Sequence, residues 1–129
     1  MARIRLVVAE DHPAFLHELT SLLAAEFDIV ATATDGKSAL ELIRRLGPDL
    51  VVLGLSLPLL NGIEVTRHLA KHGPPVVICS VETDPEIVEA ARQAGALAYV
   101  FKVRVEKDLI QAVKLAIQGK TFLSPRSIE

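Results

Sequence analysis

The 129-residue sequence contains a single cysteine, Cys79, so it can form neither an intrachain disulfide nor a four-cysteine zinc site. That scarcity points to a reducing, cytoplasmic setting. No apolar run approaches the roughly 18–20 residues needed to cross a bilayer, and no membrane partner is expected. The opening Met1-Ala2-Arg3-Ile4-Arg5 gives one short strand-like run before Glu10 and Asp11, which is not the pattern of a signal peptide. Positive charge is not in excess either. Lys and Arg number 14 against 16 Asp and Glu, a net charge of −2, which excludes a basic body that holds nucleic acid by bulk electrostatics. Disorder is excluded by a composition that is 50% hydrophobic and 23% charged, with a mean hydropathy of +0.38. What remains is one globular domain with an ample core, because a chain of this length buries about two-thirds of the surface it exposes when unfolded.

Two hydrophobic periods alternate along the chain. Short β-rich runs lie at Ile4–Ala9, Ile29–Ala33, Leu50–Leu53, Val76–Cys79 and Ala98–Phe101. Between them, apolar residues recur every three or four positions. Pro13–Glu26 carries Phe15, Leu19, Leu22 and Leu23 on one face, and Pro13 suits a first helical position. Asp35-Gly36 opens a second helix striped by Ala39, Leu40, Ile43 and Leu46; Gly62–Lys71 forms a third with Ile63, Thr66 and Leu69 inward. Asp84-Pro85 starts a fourth that Gly95 stops, and Glu106–Gln118 makes a fifth that ends at Gly119. In the fifth, Leu109, Val113 and Ala116 face a core, while Ile110 and Ile117 widen the stripe. A stripe much broader than ~100° needs a cover, either deep burial or a partner. Five strands alternating with five helices predict a doubly wound parallel α/β sheet with helices on both faces. Leu50–Leu53 and Val76–Cys79 are unbroken apolar runs suited to central strands, whereas Ile29–Ala33 fits an edge. No repeat or low-complexity tract interrupts this pattern. The domain is expected over residues 1–118, with 119–129 a tail or the start of a linker.

In such a sheet, ligands bind outside the carboxyl ends of the strands. Glu10-Asp11, Gly54-Leu55-Ser56, Ser80 and Lys102 follow those ends and would meet at one rim. The first strand–helix turn has no glycine, so neither a dinucleotide fingerprint nor a P-loop is present. Two adjacent carboxylates suit a hard divalent cation such as Mg²⁺. Ser80 and Lys102 would add a hydrogen bond and a positive charge toward phosphoryl oxygens. The rim lacks a nucleophile. Glu10-Asp11 could instead simply favour a helix N-terminus. His68 and His72, four apart on the third helix, lack the Glu of H-E-x-x-H and a third ligand, and belong to an exposed face. Arg44-Arg45 fits a solvated face, and Cys79 a small core residue.

Several motifs in fixed order carry a resemblance that spans nearly the whole chain. Glu10-Asp11-His12-Pro13, the run Gly47–Leu53 leading to Leu55-Ser56-Leu57-Pro58, Asn61-Gly62-Ile63-Glu64, Ser80, Gly95-Ala96 and Tyr99-Val100-Phe101-Lys102 resemble the receiver domains of bacterial two-component response regulators. The class with a LuxR-type (NarL-like) DNA-binding effector is the most similar. The resemblance implies a CheY-like, flavodoxin-like fold with a five-stranded sheet in the order 2-1-3-4-5. It also implies that Glu10, Asp11 and the Ser56 carbonyl bind Mg²⁺, that Ser80 and Lys102 contact phosphate, and that Tyr99 is a switch. A histidine kinase is the implied partner. DNA would be reached only through an effector domain outside this chain, for which Phe122-Leu123-Ser124-Pro125 resembles the start of a linker.

One position departs from the pattern. Where the family has its phosphoacceptor aspartate, this sequence has Gly54. Glycine cannot form an acyl phosphate, and its presence removes one carboxylate from the metal site. The expectation is therefore a non-enzymatic pseudo-receiver that accepts no phosphate, binds Mg²⁺ weakly and acts through protein contacts, with self-association through Ile110, Val113 and Ile117. Lys102, without its usual carboxylate, would need Glu10 or Asp11 as its partner. Two alternatives are an ordinary receiver whose acceptor was substituted and a flavodoxin-like binder of a small anion or metabolite.

Overall fold

The computed structural model describes residues 3–126. The elements alternate in the expected order: β1 (Arg5–Ala9), α1 (Pro13–Ala24), β2 (Asp28–Ala33), α2 (Gly36–Leu46), β3 (Leu50–Gly54), α3 (Gly62–Leu69), β4 (Val76–Ser80), α4 (Pro85–Ala94) and β5 (Ala98–Phe101). A 3₁₀ turn (Lys102–Arg104), α5 (Val105–Ile117) and a short β6 (Phe122–Leu123) follow. All strand pairs are parallel, in the order β2-β1-β3-β4-β5-β6. The expected five-stranded sheet thus has six strands. The sixth comes from the presumed tail: the Phe122 amide donates to the Leu97 carbonyl at 3.1 Å and the Ser124 amide to the Tyr99 carbonyl at 3.0 Å. Pairing these carbonyls, at and just before the start of β5, satisfies polar groups that an edge strand would leave to water. Residues 127–129 of that tail, like residues 1–2, lie outside the described residues.

Side chains of the central strands alternate between two cores, as the period-2 geometry of a strand requires. Leu6, Val8, Leu50, Val52, Val77 and Cys79 pack with Phe15, Leu19 and Leu23 of α1 and with Leu109, Ala112 and Val113 of α5. Val7, Ala9, Val51, Leu53 and Ile78 face the other way, onto Leu40 and Ile43 of α2, Val65 and Leu69 of α3, and Ala91 of α4. β2 lies at the edge and is only partly covered, as its weaker pattern predicts.

Local signals set the helix phases. Asp35 caps α2 by accepting from the Ser38 amide at 2.7 Å, and Asp84 caps α4 by accepting from the Glu86 amide at 2.8 Å. At α3, Asn61 and Glu64 form a reciprocal capping box. That box turns Val65, Thr66 and Leu69 fully inward and leaves Ile63 half-buried, and the helix stops at Leu69 rather than Lys71. His72 therefore falls beyond the helix, and both it and His68 are exposed.

The broad stripe of α5 is largely a matter of burial. Val105, Leu109, Ala112, Val113 and Ala116 are inside, and so is the charged Asp108. Val113, expected at a partner surface, is completely buried in the core, so its side chain cannot meet a partner; Ile110 and Ile117 are half-buried beside it. Asp108 is satisfied on all sides. Its Oδ2 accepts from Arg104 Nε at 2.8 Å and from Ser124 Oγ at 2.8 Å. Burial pushes the Asp108 carboxyl up, but the hydrogen bonds from Arg104 and Ser124 outweigh it and hold the group below its ordinary value.

Two stability predictions follow from this packing. Leu109→Ala should lower urea-measured stability by about 2–5 kcal/mol, because a fully buried leucine leaves a cavity, whereas Val103→Ala at a 92% exposed site should change it by less than about 0.5 kcal/mol. A carboxyl held below its unfolded value contributes stability above the ordinary carboxylate range and loses it as pH falls through the folded value. The stability gap between wild type and Asp108→Asn should therefore be full near pH ~7 and close on acidification below about pH 4. A gap that stays constant through that acid range would refute the charged node.

Candidate functional site

The carboxyl ends of β1, β3, β4 and β5 open into one cleft of about 190 Å³. Glu10, Asp11, Phe15, Ser56, Ser80 and Lys102 are among its lining residues. The fold thus brings together the rim residues expected from the sequence, Glu10, Asp11, Leu55, Ser56, Ser80 and Lys102, while Gly54 and the switch candidate Tyr99 are not among the lining residues.

Glu10 follows β1, where its amide donates to the Ala33 carbonyl at 3.0 Å. Its side chain does not project outward. Only 8% of the residue is exposed, and Oε2 accepts from the His12 amide at 2.9 Å. The other oxygen, Oε1, stands over Gly54, so close that a Cβ at position 54 would be 2.2 Å from it. The volume left by the missing side chain of Gly54 is therefore occupied by the carboxylate of its neighbour on β1. Burial pushes the Glu10 carboxyl above its ordinary value; the His12 amide opposes the shift and the adjacent Asp11 charge adds to it. Beneath it, Cys79 pairs in register with Gly54, and burial, reinforced by the Glu10 charge, raises its thiol well beyond the usual range. Cys79 is an inert core thiol, as expected.

Lys102 does not take either acid as its partner. Its Nζ lies 4.7 Å from the centroid of the Phe15 ring, and among the described residues no carboxylate comes within ion-pair distance of it. The expectation of a Lys102–Glu10 or Lys102–Asp11 pair is thus corrected. Glu10 is turned inward onto Gly54, and a ring face in the first turn of α1 holds the ammonium instead. Phe15 was identified in the sequence only as a core residue. Its place one turn behind Asp11 was the available hint of a second role.

Ser80 and Tyr99 hold the loop after β4. The Ser80 hydroxyl accepts from the Glu82 amide at 2.9 Å, and the Tyr99 hydroxyl donates to the Glu82 carbonyl at 2.8 Å. Tyr99 is 4% exposed, and burial raises its phenol. The Tyr99 hydroxyl is thus spent on the loop, whereas Ser80 also lines the cleft.

The donor set suits a tightly held Mg²⁺ poorly. Asp11 is exposed, Ser56 offers only neutral oxygens, and the Glu10 carboxylate is engaged by the His12 amide. Among the described residues, no three His, Cys, Asp or Glu side chains gather as a metal site.

Two glycines in contact near this cleft should respond unequally to substitution. A Cβ on Gly62 would stand 2.3 Å from the Gly54 carbonyl oxygen, which is fixed backbone, so Gly62→Ala should destabilise by about 1–3 kcal/mol. At Gly54 the clash is with the end of a flexible side chain, and Gly54→Ala should be tolerated within about 1 kcal/mol by moving Glu10 outward. Urea unfolding of the two variants checks this. Equal losses would mean that Glu10 is fixed in place.

Comparison with known proteins agrees with this geometry. Residues 6–114 match the response regulator receiver domain. The transcriptional regulatory protein DegU of Brevibacillus brevis is 33% identical over 128 residues, covering 96% of this chain and 54% of that protein. The DNA-binding response regulator MtrA of Mycolicibacterium smegmatis is 38% identical, covering 90% of this chain and 51% of that protein. This chain spans about half the length of such curated relatives. Among solved structures, the signal receiver domain of the putative response regulator NarL from Mycobacterium tuberculosis superposes with a TM-score of 0.88 at 30% identity, covering 93% of this chain and 100% of that one. A LuxR-family two-component response regulator from an Aurantimonas species gives 0.90 at 30% identity, covering 96% and 91%. With the match running from Leu6 to Lys114, across the four strands whose ends form the cleft, the chain belongs to the response regulator receiver domain family.

Proposed function

We propose that this receiver domain does not accept a phosphoryl group and signals through protein contacts. The observation that carries this reading is the Glu10 carboxylate standing in the space over Gly54, at the position that the resemblance assigns to the acceptor. Gly54 offers no nucleophile, and an incoming phosphate would meet a carboxylate there. Ser56 is a poor substitute, because among the described residues its hydroxyl makes no hydrogen bond to the Glu10, Asp11 or His12 side chains that share the cleft. The same carboxylate speaks against a small anion as the ligand of this cleft. Mg²⁺ binding is correspondingly weak, and the domain turns over no substrate.

Residues 1–118 form the receiver, and 119–129 begin a connection to a DNA-binding effector of the LuxR type. The names of DegU and MtrA, a transcriptional regulatory protein and a DNA-binding response regulator, support a DNA-binding effector, and the LuxR-family title of the Aurantimonas regulator supports its type. A histidine kinase, cognate or ancestral, is the partner at the rim, in the cytoplasm. Self-association uses the half-buried Ile110 and Ile117 of α5 beside α1, with Val113 supporting them from within.

A second reading has its own support. Because Glu10 Oε1 is the end of a flexible side chain, an aspartate at position 54 fits once Glu10 swings out, as in a receiver whose acceptor has only been substituted. Intact mass after incubation with acetyl phosphate and Mg²⁺ separates the two. The wild type should gain no phosphoryl group. If Gly54→Asp gains one, the rest of the site is competent and the loss is one residue deep. If it does not, the cleft has diverged beyond Gly54 and phosphate-independent signalling stands alone. Labelling of the wild type would overturn the proposal.

A further inference from the structure

The residues after α5 carry an inference that does not depend on the reading of Gly54. We propose that residues 122–126 form a strap whose position is coupled to that of the loop between β4 and α4, with Ser124 as its latch.

Three layers of contact support this. The backbone of the strap adds to the sheet through the Phe122 and Ser124 amides, which donate to Leu97 and Tyr99. Ser124 is 1% exposed, and its hydroxyl works in both directions. It donates to Asp108 Oδ2 at 2.8 Å and accepts from the Phe101 amide at 3.0 Å, tying the strap to α5 and to the end of β5 at one buried point. Arg126 then reaches back over the sheet edge. Its guanidinium lies 5.4 Å from the Phe101 ring centroid and donates to the Thr83 carbonyl.

The loop is held from the same side. The Glu82 carbonyl accepts from the Tyr99 hydroxyl, and the next carbonyl, Thr83, accepts from Arg126. Tyr99 therefore bonds the loop through its hydroxyl and the strap through its carbonyl, while Arg126 bonds the loop from the strap itself. Val81, Glu82, Thr83 and Asp84 are exposed and bury no side chain of their own. Ser80 and the Asp84 cap anchor the two ends of the loop, and its middle carbonyls are held by Tyr99 and Arg126, so its position and that of the strap depend on each other. Ser124 is a positioning residue in this arrangement. It touches neither Glu82 nor Thr83, yet it sets the register that brings Arg126 to Thr83.

Coupling of this kind is reciprocal, so it can be tested from both ends. Amide hydrogen exchange of the full chain would be followed by NMR in Ser124→Ala, Arg126→Ala and Tyr99→Phe. Ser124→Ala should speed exchange of the Phe101 and Phe122 amides by about tenfold or more, since it leaves buried groups without partners. It should also speed the Glu82 and Asp84 amides by about fivefold or more. Tyr99→Phe, altered only on the loop side, should speed the Phe122 and Ser124 amides by a similar factor. Strap amides that quicken in Ser124→Ala while the loop keeps its wild-type rates would overturn the proposal. An unchanged strap in Tyr99→Phe would do the same. Should Ser124→Ala unfold, the exposed Arg126→Ala decides alone. It must quicken both Asp84 and Ser124, and a wild-type rate at Ser124 refutes the coupling.

Discussion

Burial of β1, β3 and β4 on both faces is the constraint on which the rest of this molecule depends. Leu6–Ala9, Leu50–Leu53 and Val76–Cys79 meet no water, so their backbone groups pair within the sheet and their side chains must be apolar. Polar chemistry is left to the strand ends. Four such ends come level because the pairing is parallel and in register, with Ala9 beside Leu53 and Gly54 beside Cys79. The cleft is thus a product of sheet packing, and its residues owe their proximity to apolar side chains that take no part in its chemistry.

Within that cleft the absence of a Cβ on Gly54 leaves room for an inward Glu10 carboxylate. Glu10 turns into the vacated volume, where it gains the His12 amide but loses water, and burial raises its carboxyl. An inward Glu10 leaves Lys102 to the ring of Phe15. It also adds negative potential next to the Cys79 thiol, which burial has already made inert. Among the described residues of the rim, no three acidic or other metal-ligating side chains converge as a cation site would require. This arrangement, rather than the identity of Gly54 by itself, is what supports a receiver that works without phosphate.

The opposite edge of the sheet is closed by the chain itself. Six parallel strands replace five because Phe122–Leu123 pairs with β5, and the buried charge of Asp108 is tolerable only because Arg104 and Ser124 complete its hydrogen bonds. The charged residue on the inner face of α5 and the serine after it are therefore two halves of one feature. Hydrogen bonds from Tyr99, Ser124 and Arg126 thus link the loop after β4, the end of β5 and residues 122–126.

Periodicity and capping residues alone determined the five helices, the first five strands, the edge position of β2 and the burial of Cys79, because these follow from interactions among near neighbours and from the hydrophobicity of each face. The residues of the rim were legible for the same reason: each terminates a strand whose end is marked in the sequence. The direction of each side chain was not legible. Whether Glu10 faces out to a cation or in over Gly54, whether Lys102 meets an acid or a ring, and whether Val113 supports a surface or fills a core all depend on volumes shared between elements distant in sequence. The strap was hidden for a related reason. Phe122–Leu123 is too short to announce a strand, and only the unpaired edge of β5 together with the buried Asp108 gives it a place to bind. Tertiary structure decided these points because they depend on which space is already filled, and that is known only once the two cores have closed on the sheet.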